Sequence, residues 1–255
     1  MSRRCESFLI NDLLVPQILI TERDYLLVFK PSGMHSAPLK NSPGVTMFDW
    51  CGEKFPEFAK LIGRKKGEGG LLHRLDYETH GLMIIARTEA GMENLLNQQK
   101  EGKIIKEYEA FTKKAAAGMP GFPPQYFDNS AQRFTIKSAF RPYGTGGKAV
   151  RPMLQGKKEY VTEIIERKEK SNGVISFTVK ITSGFRHQIR CHLAWTGYPI
   201  INDKLYGGAT FGNGMLGLSA SGISFLDPST GEKRIYSINL HEETALYYSS
   251  SDFSG

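Results

Sequence analysis

The chain has 255 residues, 40% of them apolar and 23% charged. This length holds one large domain or two small ones around a real core, and the balance excludes a disordered chain. A formal charge of +7 and a pI near 9.2 suit a polyanionic partner, because lysines and arginines attract phosphates and release their counterions.

Cys5, Cys51 and Cys191 are widely spaced. They form no CxxC pair and no Cys/His grouping with zinc spacing, so reduced thiols and no metal site are expected. The start of the chain does not read as a secretory signal, and no apolar run approaches membrane-spanning length. A cytoplasmic protein without a membrane partner is expected. Residues 1–16 read as a short leader, 17–245 as a single domain and 246–255 as a tail.

In chain order, Leu26-Leu27-Val28-Phe29 reads as a strand ending in the turn Lys30-Pro31-Ser32-Gly33. From Thr46, the residues Phe48, Cys51, Phe55 and Phe58 predict a helix interrupted at Pro56. The basic, glycine-rich stretch 60–70, with Arg64-Lys65-Lys66, reads as an exposed loop. Leu82-Met83-Ile84-Ile85-Ala86 is a continuous apolar run, hence a strand buried on both faces. Thr88 can cap the following helix, which carries Met92, Leu95 and Leu96 at helical spacing and stops at Gly102. Residues 104–111 predict a strand whose alternation places Lys106, Tyr108 and Ala110 on one face.

Residues 113–159, rich in Pro and Gly, are expected to be irregular, and a loop that long is usually functional or mobile. Residues 174–182 alternate as a strand, and 187–195 read as a helix closed by Gly197. Short strands around 223–226 and 235–240 flank the turn Asp227-Pro228-Ser229-Thr230-Gly231. Strands and helices mix without a regular βαβ rhythm, so the fold class is α+β.

The segment His73-Arg74-Leu75-Asp76-Tyr77-Glu78-Thr79-His80-Gly81 combines an arginine, a histidine and a carboxylate at the mouth of the buried strand. On residue types alone two readings stand. It is a site, or Asp76 is a turn residue with Arg74 as a surface ion-pair partner.

With Thr79, Gly81 and Leu82, this segment resembles the catalytic motif of the RluA-like pseudouridine synthases. Further matches follow in order over roughly residues 17–241: Lys30-Pro31-Ser32-Gly33; Lys106, Tyr108 and Ala110; His187-Gln188-Ile189-Arg190 with His192-Leu193-Ala194; Gly197, Pro199-Ile200, Asp203 and Tyr206-Gly207; and Ala220, Phe225, Pro228 and Thr230-Gly231-Glu232.

The resemblance implies the pseudouridine synthase fold, a mixed, mostly antiparallel sheet flanked by helices and loops with a central cleft. It implies an isomerase that detaches uracil from ribose, turns it and rejoins it through C5, with no cofactor. The partner it implies is structured RNA, ribosomal or transfer, and a monomer is expected. Asp76 is then the essential carboxylate, Arg190 the cation paired with it, and Tyr108 the ring beside the target base. Arg74 would fill the hole left by the extruded base, with His73 supporting the loop. Lys106, Arg186 and His187 are placed with Arg74 and His73 in the RNA-binding and base-flipping set. Arg64-Lys65-Lys66, the segment 141–158 and Arg186 are expected phosphate contacts.

The chain departs from the family pattern at four places. His80 stands where serine is usual, Phe185 where arginine is usual (the arginine shifts to Arg186), Asn202 replaces glycine, and Leu226-Asp227 stands where histidine is common before Pro228. A non-catalytic RNA-binding protein on the same scaffold is the alternative. A carboxylate glycosidase, which needs two carboxyls flanking one bond, is disfavoured.

Overall fold

The computed structural model describes residues 3–39, 44–63, 67–128, 130–212 and 214–240. Arg64-Lys65-Lys66 and the expected tail, 246–255, lie outside the described residues. The first half of the chain carries β1 (Arg3–Ile10), β2 (Gln17–Thr21), β3 (Tyr25–Lys30), α1 (Met47–Lys54), α2 (Pro56–Ala59), β4 (His80–Ala86), α3 (Glu89–Lys100) and β5 (Ile105–Lys113). After it come β6 (Phe134–Tyr143), β7 (Ala149–Met153), β8 (Tyr160–Glu169), β9 (Val174–Ile181), α4 (Gln188–Trp195), β10 (Leu218–Leu226) and β11 (Lys233–Leu240).

These elements fall into two compact units. The first runs to Lys106 and resumes at Ala220; the second runs from Glu107 to Ser219.

In the first unit, β2, β3, β4 and β10 are neighbours in that order, and β11 pairs with β10 and β1. Every residue of β3 and β4 is buried, which is why both read as unbroken apolar runs. Their antiparallel register sets Leu27 opposite Ile84 and Phe29 opposite Leu82. Gly81 occupies φ +128°, and a Cβ there would stand 2.4 Å from the Ala220 carbonyl oxygen on β10, so only glycine fits. Thr88 caps α3 by accepting from the Gly91 amide. Gln98 of α3 spans Leu226 of β10, donating to its carbonyl at 2.6 Å and accepting from its amide at 2.8 Å. Residues 3–10, read as part of a leader, are a strand in parallel register with β11.

In the second unit the order is β5, β9, β8, β6, β7. The pairings of β8 with β9, β6 with β8 and β6 with β7 are antiparallel. The fold is thus α+β with a mostly antiparallel sheet, as expected. One expectation is corrected here: the irregular stretch 113–159 contains β6 and β7. The prolines that suggested loop lie at tolerant positions. Pro152 is on β7, the last strand in the order, and Pro142 lies beyond Ser138, where the pairing of β6 with β8 ends. All eight residues of α4 are buried.

Candidate functional site

In the first unit the loop before β4 is fixed from behind. The Ser36 hydroxyl donates to the Leu75 carbonyl at 2.9 Å and accepts from the Leu75 amide at 3.0 Å, clamping the residue before Asp76. The residues after Asp76 rest on the turn that follows β3. Gly33 N–H donates to the Tyr77 carbonyl, and Ser32 Oγ to the Glu78 carbonyl. Lys30 Nζ reaches the carbonyls of Pro31 and Met34, both at 2.7 Å, and that of Tyr77 at 3.4 Å. Thr79 N–H closes the loop on the Asp76 carbonyl. Asp76 itself is partly exposed on this braced segment.

Lys30 is fully buried, and desolvation lowers its pKa to about 7 against the opposing pull of the Asp76 and Glu78 charges. His80, at the start of β4, is kept neutral to about pH 3 by burial and by the nearby Lys30 charge.

His73 is buried, and its Nε2 accepts from the Ile84 amide on β4 at 3.2 Å, a support role for the loop. Arg74 is exposed, and its ion pair is with Glu68 at 3.4 Å. So exposed a pair contributes at most about 1 kcal/mol, and the guanidinium can leave it at little cost. Lys106 is buried on the same face of β5 as Tyr108, Ala110 and Thr112, in the expected alternation.

In the second unit, the loop before α4 ends at His187 in the left-handed region, φ +55°. That turn starts the helix one residue before Gln188, and Arg190 lies in its first turn. Arg190 is bound by Asp203, Nε to Oδ2 at 2.7 Å and Nη2 to Oδ1 at 2.9 Å. The His187 ring stands edge-on to Tyr206, with Nδ1 at 3.4 Å from the phenol oxygen. Tyr206 is in turn fixed by accepting from the Val150 amide. Arg186 donates to the carbonyls of Gly147 and Ala149 at 2.7 and 3.2 Å, so part of its guanidinium secures the turn after β6. His192 sits between Ser138 and Thr162, at 2.8 and 2.7 Å, and burial keeps it neutral to about pH 3.

Sequence reasoning overlooked Lys30, Ser36 and Asp203 as site residues. Lys30 and Asp203 were already visible inside matched motifs, whereas Ser36 carried no signal. Among the described residues no three His, Cys, Asp or Glu side chains converge as metal ligands would, and no helix is long and apolar enough to cross a membrane.

Residues 24–195 match the family described as RNA pseudouridylate synthase. A protein named an uncharacterized RNA pseudouridine synthase from Chloroflexus aurantiacus is 30% identical over 183 residues, 70% of this chain and 50% of that protein. A similarly named protein of Aquifex aeolicus is 27% identical over 246 residues, 91% of this chain and 72% of that one. The ribosomal large subunit pseudouridine synthase D of Blochmanniella floridana is 28% identical over 200 residues, 76% of this chain and 56% of that one. The chain thus spans about half the length of two of these relatives.

Two human structures share the fold. RNA pseudouridylate synthase domain containing 1 superposes with a TM-score of 0.60 at 21% identity, over 89% of this chain and 84% of that one. RNA pseudouridylate synthase domain containing 4 does so with a TM-score of 0.61 at 18% identity, over 90% of each chain. With strand order, braced acidic loop and a match over more than half its length in agreement, the chain belongs to the RNA pseudouridylate synthase family.

Proposed function

We propose that this chain isomerises uridines of a structured RNA, ribosomal or transfer, to pseudouridine, with Asp76 as the catalytic carboxylate. The N1–C1′ bond of uridine breaks, the base turns, and a C5–C1′ bond forms. The proton leaves C5 and one arrives at N1, so atoms balance without an oxidant, reductant or cofactor. In this reading the Asp76 carboxylate attacks C1′ or assists departure of the base. Tyr108 offers a flat ring to uracil and a hydroxyl for proton transfer. Arg190 supplies the fixed positive charge that favours an ionised carboxylate.

The target atom is out of reach in a stacked helix, so the base must be extruded, and Arg74 takes its place. His73 supports the loop, while Lys106, Arg186 and His187 serve the RNA. The protein is read as a cytoplasmic enzyme acting as a single chain.

One observation carries the reading: Asp76 is partly exposed on a loop whose residues on both sides are tied down by Ser36, Ser32, Gly33 and Lys30. A binding protein has no need to hold a carboxylate rigidly in a site meant for phosphates. The test is tritium release from RNA labelled at uridine C5, in extracts lacking this protein to which wild type or Asp76→Asn is added. The expected result is release by wild type and none by Asp76→Asn, with RNA affinity retained. Turnover by Asp76→Asn would reject the carboxylate assignment. Binding by wild type without any product would favour the non-catalytic alternative.

A further inference from the structure

Phe185, where the family resemblance leads one to expect arginine, lies on the surface of the second unit with 36% of its area exposed. A single exposed phenylalanine is ordinary. This one belongs to a cluster. Its ring lies parallel to that of Phe140, with centroids 5.0 Å apart and 6° between planes, and Tyr160 stands 5.0 Å away. Phe140 rests in turn against the buried His192 ring at 4.9 Å.

The cluster is held rigidly. The Phe185 amide donates to Gln188 Oε1 at 3.0 Å, and the Gln188 amide nitrogen is anchored on the Val161 carbonyl and the Thr162 hydroxyl. Next along the chain, Arg186 grips the turn at Gly147.

The chain leading into Tyr160 is cationic. Lys158 Nζ sits 5.0 Å from the centroid of the Tyr160 ring. Between Phe140 and Tyr160 the chain carries Arg141, Lys148, Arg151, Lys157 and Lys158 against Glu159 alone.

We infer that Phe140, Tyr160 and Phe185 form a stacking platform for an unpaired base of the substrate RNA, with Lys157, Lys158 and their basic neighbours on the adjoining phosphates. This rests on the RNA reading above and extends it to a second contact on the same ligand. Every base has a flat face, and aromatic rings bordered by cations hold single strands by stacking plus charge. A paired duplex buries those faces and presents nothing for Phe185 to cover. An apolar protein partner would not call for such an excess of cations. Because the ring is already immobilised, little ordering cost opposes the stacking.

The test uses the full chain and a single-stranded, uridine-rich RNA of roughly 16 nucleotides carrying one 2-aminopurine, with a duplex of equal length as comparison. Phe185→Ala and Phe185→Leu are expected to weaken single-strand binding roughly 5- to 150-fold, which is 1–3 kcal/mol per stacked base converted to affinity. They should also remove the fluorescence quenching, while duplex binding is unchanged. Phe185→Trp should keep both affinity and quenching. Leu fills much of the same space, so it separates loss of stacking from loss of packing, and equal melting temperatures confirm the fold.

Wild-type affinity in Phe185→Ala, or an equal loss on single strand and duplex, overturns the platform. The assay needs no turnover. Phe185-dependent binding by a protein that makes no pseudouridine would remove the proposed activity and leave the platform. Product formation alongside binding indifferent to Phe185 would do the reverse.

Discussion

Arg190 and Asp203 meet in a two-point ion pair with 2% and 0% of their side chains exposed. The Asp203 oxygen that accepts from Nη2 also accepts the Leu205 amide at 3.1 Å, and the guanidinium lies 5.8 Å from the Tyr206 ring centroid. A fork held at two points has a fixed plane, which a lysine could not reproduce. The arginine chosen from the motif is therefore positioned by an acid thirteen residues further on, within its own unit.

Replacing Asp203 with Asn is expected to be severe. It leaves a buried guanidinium facing a neutral amide, and loss of one partner of a buried pair costs about 3–5 kcal/mol. Urea unfolding of Asp203→Asn against wild type measures this. An unchanged midpoint would mean that the guanidinium finds equal compensation elsewhere.

Lys30 gives stability an alkaline dependence. Its folded pKa of about 7 lies below the ordinary 10.5, so between those values the unfolded chain binds a proton that the folded chain lacks. Stability therefore rises with pH through that window, by at most about 1.4 kcal/mol per pH unit, and the penalty for the buried charge is complete below it. Lys30→Met, which carries no such proton, should show a flatter profile in urea titrations across the same range. Parallel profiles for the two proteins would contradict the assignment.

His80 and His192 act at the acid end. Both have folded pKa values near 3 against an ordinary 6.5, so the unfolded chain takes up protons first as pH falls. Stability is whole above 6.5 and drains between there and 3, at up to about 1.4 kcal/mol per pH unit for each histidine. His80→Ser, which restores the residue usual in the family, should unfold at lower pH than wild type when followed by circular dichroism. An identical acid midpoint would show that His80 is not held neutral.

Ser36→Ala tests the clamp on the Asp76 loop. The variant strands the amide and the carbonyl of Leu75 in a buried setting, at a cost of about 1–3 kcal/mol. Because Leu75 precedes Asp76, turnover should fall by more than RNA affinity does. A variant that lost stability but kept its full kcat would reduce the clamp to a packing role.

Several elements were legible because their signals are local. The apolar runs of β3 and β4, the Thr88 cap and the alternation of Lys106, Tyr108 and Ala110 all depend on neighbours a few residues away. The stretch 113–159 misled for the same reason. Pro142 and Pro152 are loop signals locally, and only the strand order reveals that they lie where β6 and β7 tolerate them. Gly81 could be read as a motif letter, but its cause, the Ala220 carbonyl at 2.4 Å from any Cβ, belongs to a strand far along the chain.

By itself the sequence determined the fold class, most elements and the identity of the acidic loop, since periodicity, caps and motif spacing are written in adjacent residues. Tertiary structure alone decided that Asp203 grips Arg190, that Glu68 pairs with Arg74, and that Lys30 reaches across 47 positions to Tyr77. Those partners are chosen by which strands and turns become neighbours, and side-chain chemistry along the chain leaves several partners of equal merit until that neighbourhood exists.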